Sequence, residues 1–183
     1  MSGSDFIVLA REAGLFALLI VATFTDVAYG KINNWLVYPA IVAGFGLAIA
    51  ADLQHASPPY IEQSAFGFAA GLGLFGLFFF MGWMGPADVK LAAAIGALKG
   101  LEFFIWALVF ITLAGCLLAV TVLIWQGKLL ESLGNSVLFF FRPRKLMDKL
   151  KASGQKPVYI PYGLAMAAGT MAAWFLRMGI RPL

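Results

Sequence analysis

The sequence predicts an all-α integral membrane protein with six transmembrane helices and both termini on the outer, periplasmic side. Its composition predicts the membrane class, because 62% of the 183 residues are hydrophobic and 12% are charged. Soluble domains carry about 25% charged residues. The mean hydropathy is +0.89. A chain with so few polar side chains cannot coat a globule in water, whereas a bilayer accepts its apolar surface.

Six apolar segments predict the helices. A helix needs roughly 20 apolar residues to cross a bilayer, and fewer when neighbouring helices shield its ends. The fourth segment, "DVKLAAAIGALK", is short and rich in Ala and Gly, so we expect it to be buried among its neighbours. The predicted spans are residues 6–26, 35–52, 61–81, 88–99, 101–125 and 158–178.

The positions of Lys and Arg predict the orientation of these spans. Residues 126–156 carry seven basic residues, and six spans place this segment on the same side as Lys31 and Lys90. Nine basic residues then lie on that side, and four lie on the other: Arg11, Lys99, Arg177 and Arg181. Since basic loops stay in the cytoplasm, the side with nine basic residues is predicted to be cytoplasmic.

The long basic segment is predicted to lie on the membrane surface. Residues 126–157 combine leucines near helical spacing with a cluster of Lys and Arg. This pattern is typical of an amphipathic element on the anionic inner leaflet. We therefore expect a basic amphipathic cytoplasmic loop within a single membrane-embedded domain that spans residues 1–183.

The same topology brings two aspartates to one membrane depth. Asp26 lies at the cytoplasmic end of the first span and Asp88 at the cytoplasmic start of the fourth. Ionisable residues at such positions are uncommon and often functional. Two neighbouring carboxyl groups can share a proton, so that the ionised one activates a water and the protonated one donates to a carbonyl oxygen. The structural alternative is that each aspartate caps a helix or contacts headgroup water.

Three segments resemble the prepilin peptidase family, a group of GxGD-type membrane aspartic peptidases. "MGPADVKLAAAIGALKG" resembles the family's G-x-G-D-x-K-L segment, and "TDVAYGKINNWL" resembles its first aspartate followed by Ile-Pro-Asn. "IPYGLAMAAG" is similar to the Pro-Tyr/Phe-Gly stretch of the last helix. The size resembles the small peptidases of tight-adherence pilus systems, which lack a domain with paired Cys-x-x-Cys motifs. With Cys116 as its one cysteine, this chain cannot supply such a cluster.

The resemblance implies a specific activity. Asp26 and Asp88 would be the catalytic pair of an aspartic endopeptidase of the bacterial cytoplasmic (inner) membrane. It would remove the short leader peptide of type IV prepilin-like substrates at the cytoplasmic membrane face. The expected partners are prepilins or pseudopilins with a basic leader and an apolar N-terminal helix, together with the lipid bilayer. We expect no cofactor, no metal and no nucleic acid.

Other residues of these segments are candidates for substrate binding or for shaping the site. They are Asn34, Gly85, Pro86, Ala87, Lys90, Pro161, Tyr162 and Gly163. Each also has a structural interpretation: Lys90 can extend to the interface, and Pro161 can start a helix. The chain departs from the family pattern twice, since Ala87 replaces a Gly and Asn33 replaces a Pro. These departures leave open an altered substrate preference or reduced activity.

Two other functions fit the same residues. In a small proton- or ion-coupled transporter, Asp26 and Asp88 would bind the ion or proton. A non-catalytic relative would bind prepilin during pilus assembly and leave it uncut, and Ala87 is the main support for this alternative.

Overall fold

A computed structural model describes residues 3–54, 59–82, 84–125 and 162–180. Within these ranges it contains six α-helices and no β-strand, which confirms the all-α fold. The helices are α1 (Gly3–Tyr29), α2 (Asn34–Gln54), α3 (Tyr60–Phe80), α4 (Pro86–Lys99), α5 (Leu101–Trp125) and α6 (Tyr162–Ile180).

Within the described residues, four helical segments are long and apolar enough to cross a membrane: Asp5–Tyr29, Asn34–Gln54, Tyr60–Phe80 and Leu101–Val122. They support the assignment as a membrane protein. Large apolar side chains such as Ile20, Phe24 and Val42 are mostly exposed, which suits contact with lipid rather than water. A membrane crossing by α4 and α6, and the side on which the termini lie, stay predictions.

The described helices fall into two compact units. The first contains α1 to α4, the part of α5 that ends at Ala114, and α6. The described part of the second is Gly115–Trp125, the last turns of α5. The single domain spanning 1–183 stays a prediction, and the predicted loop 126–157 lies outside the described residues.

Helix α4 is the core of the first unit. It has 14 residues, or about 21 Å at 1.5 Å per residue, and it packs against α1, α2, α3 and α6. Val89 and every residue from Leu91 to Leu98 are buried. This confirms the prediction that the short Ala-rich segment lies among its neighbours.

Glycines allow α3 and α4 to approach closely. A Cβ atom added at Gly96 would lie 2.0 Å from the carbonyl oxygen of Gly67, and one at Gly71 would lie 2.6 Å from that of Ala92. Real Cβ atoms do not occupy such positions, so the two backbones touch only because side chains are absent there. Small residues at contacts between helices are a common feature of membrane proteins. The glycines therefore determine where α4, and hence Asp88 at its start, lies relative to α3.

Candidate active site

Asp26 lies in the last turn of α1, where the chain turns back toward α2. Gly30 ends the helix with a φ of 64°, and its N–H donates to the carbonyl of Asp26 at 2.8 Å. Glycine suits this left-handed position because it has no Cβ to clash. The Asp26 side chain is buried, with 5% of its surface exposed. A carboxyl group in such surroundings requires hydrogen-bond partners.

One partner of Asp26 comes from the start of α6. The N–H of Gly163 donates to Asp26 Oδ2 at 2.7 Å. A Cβ atom at position 163 would lie 2.6 Å from the same oxygen and 2.9 Å from Asp26 Cβ. The close approach therefore requires glycine. Tyr162, the first residue of α6, precedes this contact, while Pro161 lies outside the described residues.

Asp88 is presented by the N-terminus of α4. Pro86 opens the helix, a position that suits proline because the first N–H has no partner within the helix. The Gly85 N–H donates to Asp88 Oδ2 at 3.1 Å, and the Asp88 N–H donates to the Gly85 carbonyl at 3.2 Å. The carboxylate thus caps its own helix, as the structural alternative predicted. It is only half-buried, so capping leaves it accessible to other groups.

The two aspartates lie at the same end of the first unit. One is in the last turn of α1 and the other in the first turn of α4, and these helices run antiparallel, since Arg11 near the start of α1 binds the carbonyl of Leu98 near the end of α4. Each accepts a backbone hydrogen bond from a glycine. In the described part of the chain, no three His, Cys, Asp or Glu side chains are grouped as metal ligands would be. The arrangement is a pair of carboxyl groups supported by backbone donors.

Lys90 and Asn34 bind each other beside this pair. Lys90 Nζ donates to Asn34 Oδ1 at 2.9 Å and lies 5.4 Å from the centre of the Tyr38 ring. The contact joins the N-terminal parts of α4 and α2. Lys90 therefore connects two helices near the aspartates.

The two departures from the family pattern cause no backbone strain. Ala87 lies in the first turn of α4, and no described residue other than glycine has a positive φ. Position 87 therefore does not need glycine for its conformation. Asn33 precedes α2, and its carbonyl accepts the Leu36 N–H at 3.1 Å. The helix starts here without the proline of the family pattern.

A second polar cluster joins the helices at the opposite end of the unit. Arg11 donates to the Leu98 carbonyl at 2.8 Å and to Ser64 Oγ at 2.9 Å. Glu12 forms an ion pair with Lys99 and accepts a hydrogen bond from the Trp174 indole at 2.8 Å. Sequence reasoning treated Arg11 and Lys99 only as charges that indicate orientation. The signal it missed was the adjacent Arg-Glu pair inside the first apolar segment.

Comparison with known proteins identifies the family. Residues 13–124 match the model of the type IV leader peptidase family, a segment that contains both aspartates and more than half of the chain. No curated protein and no solved structure gave a significant match. The chain therefore belongs to the type IV leader peptidase family.

Proposed function

We propose that this chain is an aspartic endopeptidase in which Asp26 and Asp88 form the catalytic pair. It removes the short leader of type IV prepilin-like substrates at the cytoplasmic face of the inner membrane. Membership of the leader peptidase family supports a peptidase. The observation that carries the catalytic assignment is the placement of two carboxyl groups at one end of the helical unit, each held by a backbone N–H.

The chemistry requires one ionised and one protonated carboxyl group. The ionised group takes a proton from a water, whose oxygen attacks the scissile carbonyl carbon. The protonated group donates its proton to the carbonyl oxygen, which gives a neutral tetrahedral diol. The first group, now protonated, then donates its proton to the amide nitrogen while the second group, now ionised, accepts a proton from one hydroxyl of the diol. The C–N bond breaks to give a carboxylic acid and an amine, and both carboxyl groups return to their starting charge. Two carboxyl groups that share a water cannot both ionise, so the proposed reaction runs through the singly protonated pair.

The glycine N–H groups hold the carboxyl groups in position. Gly163 binds Oδ2 of Asp26, and Gly85 binds Oδ2 of Asp88. Both donors belong to the backbone at helix starts, so their positions follow from helix packing. Fixed positions matter because a displacement of about 1 Å in a catalytic group can reduce a rate about 100-fold.

The location of the pair supports a substrate that is itself inserted in the membrane. Asp26 lies in the last turn of one helix and Asp88 in the first turn of another, so the pair lies where a helix enters or leaves the apolar core. In a prepilin, the junction between a basic leader and an apolar helix occupies the same depth. Lys31, Lys90 and the basic residues of segment 126–156 are expected on the same side as the pair, and their number predicts that this side is cytoplasmic.

Substitution of each aspartate tests the proposal. Co-expression with a prepilin that has a basic leader and an apolar helix should yield leader removal, measured by mass spectrometry of the pilin. Asp26→Asn and Asp88→Asn should each lower the cleavage rate by about 100-fold or more, since each removes an acid–base group. Asp5→Asn, which changes an exposed aspartate in the first turn of α1, should cleave like wild type.

The alternatives make different predictions in the same strains. Cleavage at the wild-type level by both asparagine variants would contradict the catalytic pair. Proton flux in liposomes without any cleavage would favour the transporter. A wild-type chain that binds prepilin and leaves it uncut would favour the non-catalytic relative.

A further inference from the structure

A cavity of about 310 Å³ lies at the end of the unit opposite to Asp26 and Asp88. Its wall is formed by the beginnings of α1, α3 and α5 and by the ends of α4 and α6. The volume is at the lower end of the range for small-molecule sites. The proposed peptidase chemistry makes no use of this cavity.

The lining is cationic. Arg11, Lys99 and Arg177 carry positive charges, and Glu12 is the one acidic residue among the described lining residues. Glu12 is already paired with Lys99. Arg177 pairs with Glu102, whose side chain is 68% exposed, and exposed pairs of this kind are weak. The cavity therefore keeps a positive excess that favours an anionic group.

The remaining walls are aromatic and border on apolar surface. Tyr60, Phe103 and Trp174 line the cavity, and Tyr and Trp are common at the level of lipid headgroups. Val8, also in the lining, is 56% exposed, and the neighbouring Phe175 on α6 is 63% exposed. An anion bound here would thus have an apolar surface next to it. A ligand with a charged head and acyl chains matches both parts.

We propose that this cavity binds the phosphate headgroup of an anionic phospholipid, whose acyl chains lie along the exposed apolar side chains of α1 and α6. The headgroup contacts the guanidinium and ammonium groups, because Arg and Lys form strong charge-assisted hydrogen bonds with phosphate. Bound there, the lipid bridges α1, α4 and α6 at the end away from the aspartates.

Lipid binding by the full-length chain tests this assignment. Detergent-purified protein is mixed with phosphatidylglycerol or phosphatidylethanolamine, and bound lipid is counted by native mass spectrometry. Wild type should retain phosphatidylglycerol in preference to phosphatidylethanolamine. Arg177→Gln should lower phosphatidylglycerol occupancy about fivefold, as expected for one basic residue near a headgroup, and Arg177→Lys should restore most of it.

A matched variant separates the site from general charge effects. Lys31→Gln removes the same charge from an exposed position beyond the other end of α1 and should bind lipid like wild type. Equal retention of both lipids, or equal losses in Arg177→Gln and Lys31→Gln, would overturn the proposal. Displacement of the lipid by inorganic phosphate would also overturn it, because the site would then be one for a soluble anion. None of these readouts depends on peptidase activity.

Discussion

At the scale of single residues, the contact between Gly163 and Asp26 illustrates how a backbone group can support a buried acid. The sequence places these residues 137 positions apart, yet the N–H of one donates to the carboxylate of the other. A side chain as small as alanine would occupy the position of the Asp26 oxygen. The glycine therefore matters for the hydrogen bond as well as for helix packing.

Gly163→Ala is expected to displace the Asp26 carboxyl group and to lower the rate of leader removal about 100-fold. Gly46→Ala is the matched control, because a Cβ atom there has no neighbour within 4 Å. Both are measured with the prepilin cleavage assay at equal protein levels. A Gly163→Ala enzyme with the wild-type rate would show that this contact does not position Asp26 for catalysis.

At the scale of helices, α4 is held along its length and at its C-terminal end by different kinds of contact. Along its length, glycines of α3 allow backbone contact. At its C-terminal end, Arg11 binds the Leu98 carbonyl and Glu12 binds Lys99. Carbonyls in the last turn of a helix lack partners within the helix, so an Arg side chain satisfies a group that would otherwise be costly to bury. These contacts determine the position of α4 relative to α1, and thereby of Asp88 relative to Asp26.

Gly67→Ala should therefore destabilise the protein. The added Cβ would lie 2.3 Å from the Gly96 carbonyl oxygen, and forcing extra atoms into a packed contact costs about 1–3 kcal/mol. Gly73→Ala on the same helix adds a Cβ with nothing within 4 Å and should match or exceed wild-type stability, because alanine favours helix. The midpoint temperatures of thermal unfolding in detergent are compared for wild type and the two variants. An unfolding midpoint of Gly67→Ala equal to that of Gly73→Ala would argue against a tight contact between α3 and α4.

At the scale of the whole molecule, the predicted orientation follows from charge. Lys31 lies in the turn between α1 and α2, and Glu62 lies in the first turn of α3, just after the connection from α2. If α2 crosses the bilayer, these two places lie on opposite sides. The basic residues predict that Lys31 is cytoplasmic.

Cysteine labelling checks this orientation. In a Cys116→Ser background, Glu62→Cys should react with a membrane-impermeant maleimide added to spheroplasts, and Asn33→Cys should react only after lysis. Both positions are exposed, and neither change removes a basic residue. The background chain without added cysteine is the control. The reverse labelling pattern would place Asp26 and Asp88 on the outer face and contradict cleavage at the cytoplasmic side.

The sequence by itself determined the membrane class, the six helical segments and the two aspartates as candidates. Composition and apolar run length are local properties, and charge in loops acts through the bilayer rather than through packing. The small residues of the fourth segment also predicted that α4 is buried. Only the tertiary structure decided which groups contact those aspartates, that Lys90 binds Asn34, and that Arg11 and Glu12 join four helices. Such contacts depend on how remote helices pack against each other, and a linear pattern of side chains does not specify the rotation and height at which they meet.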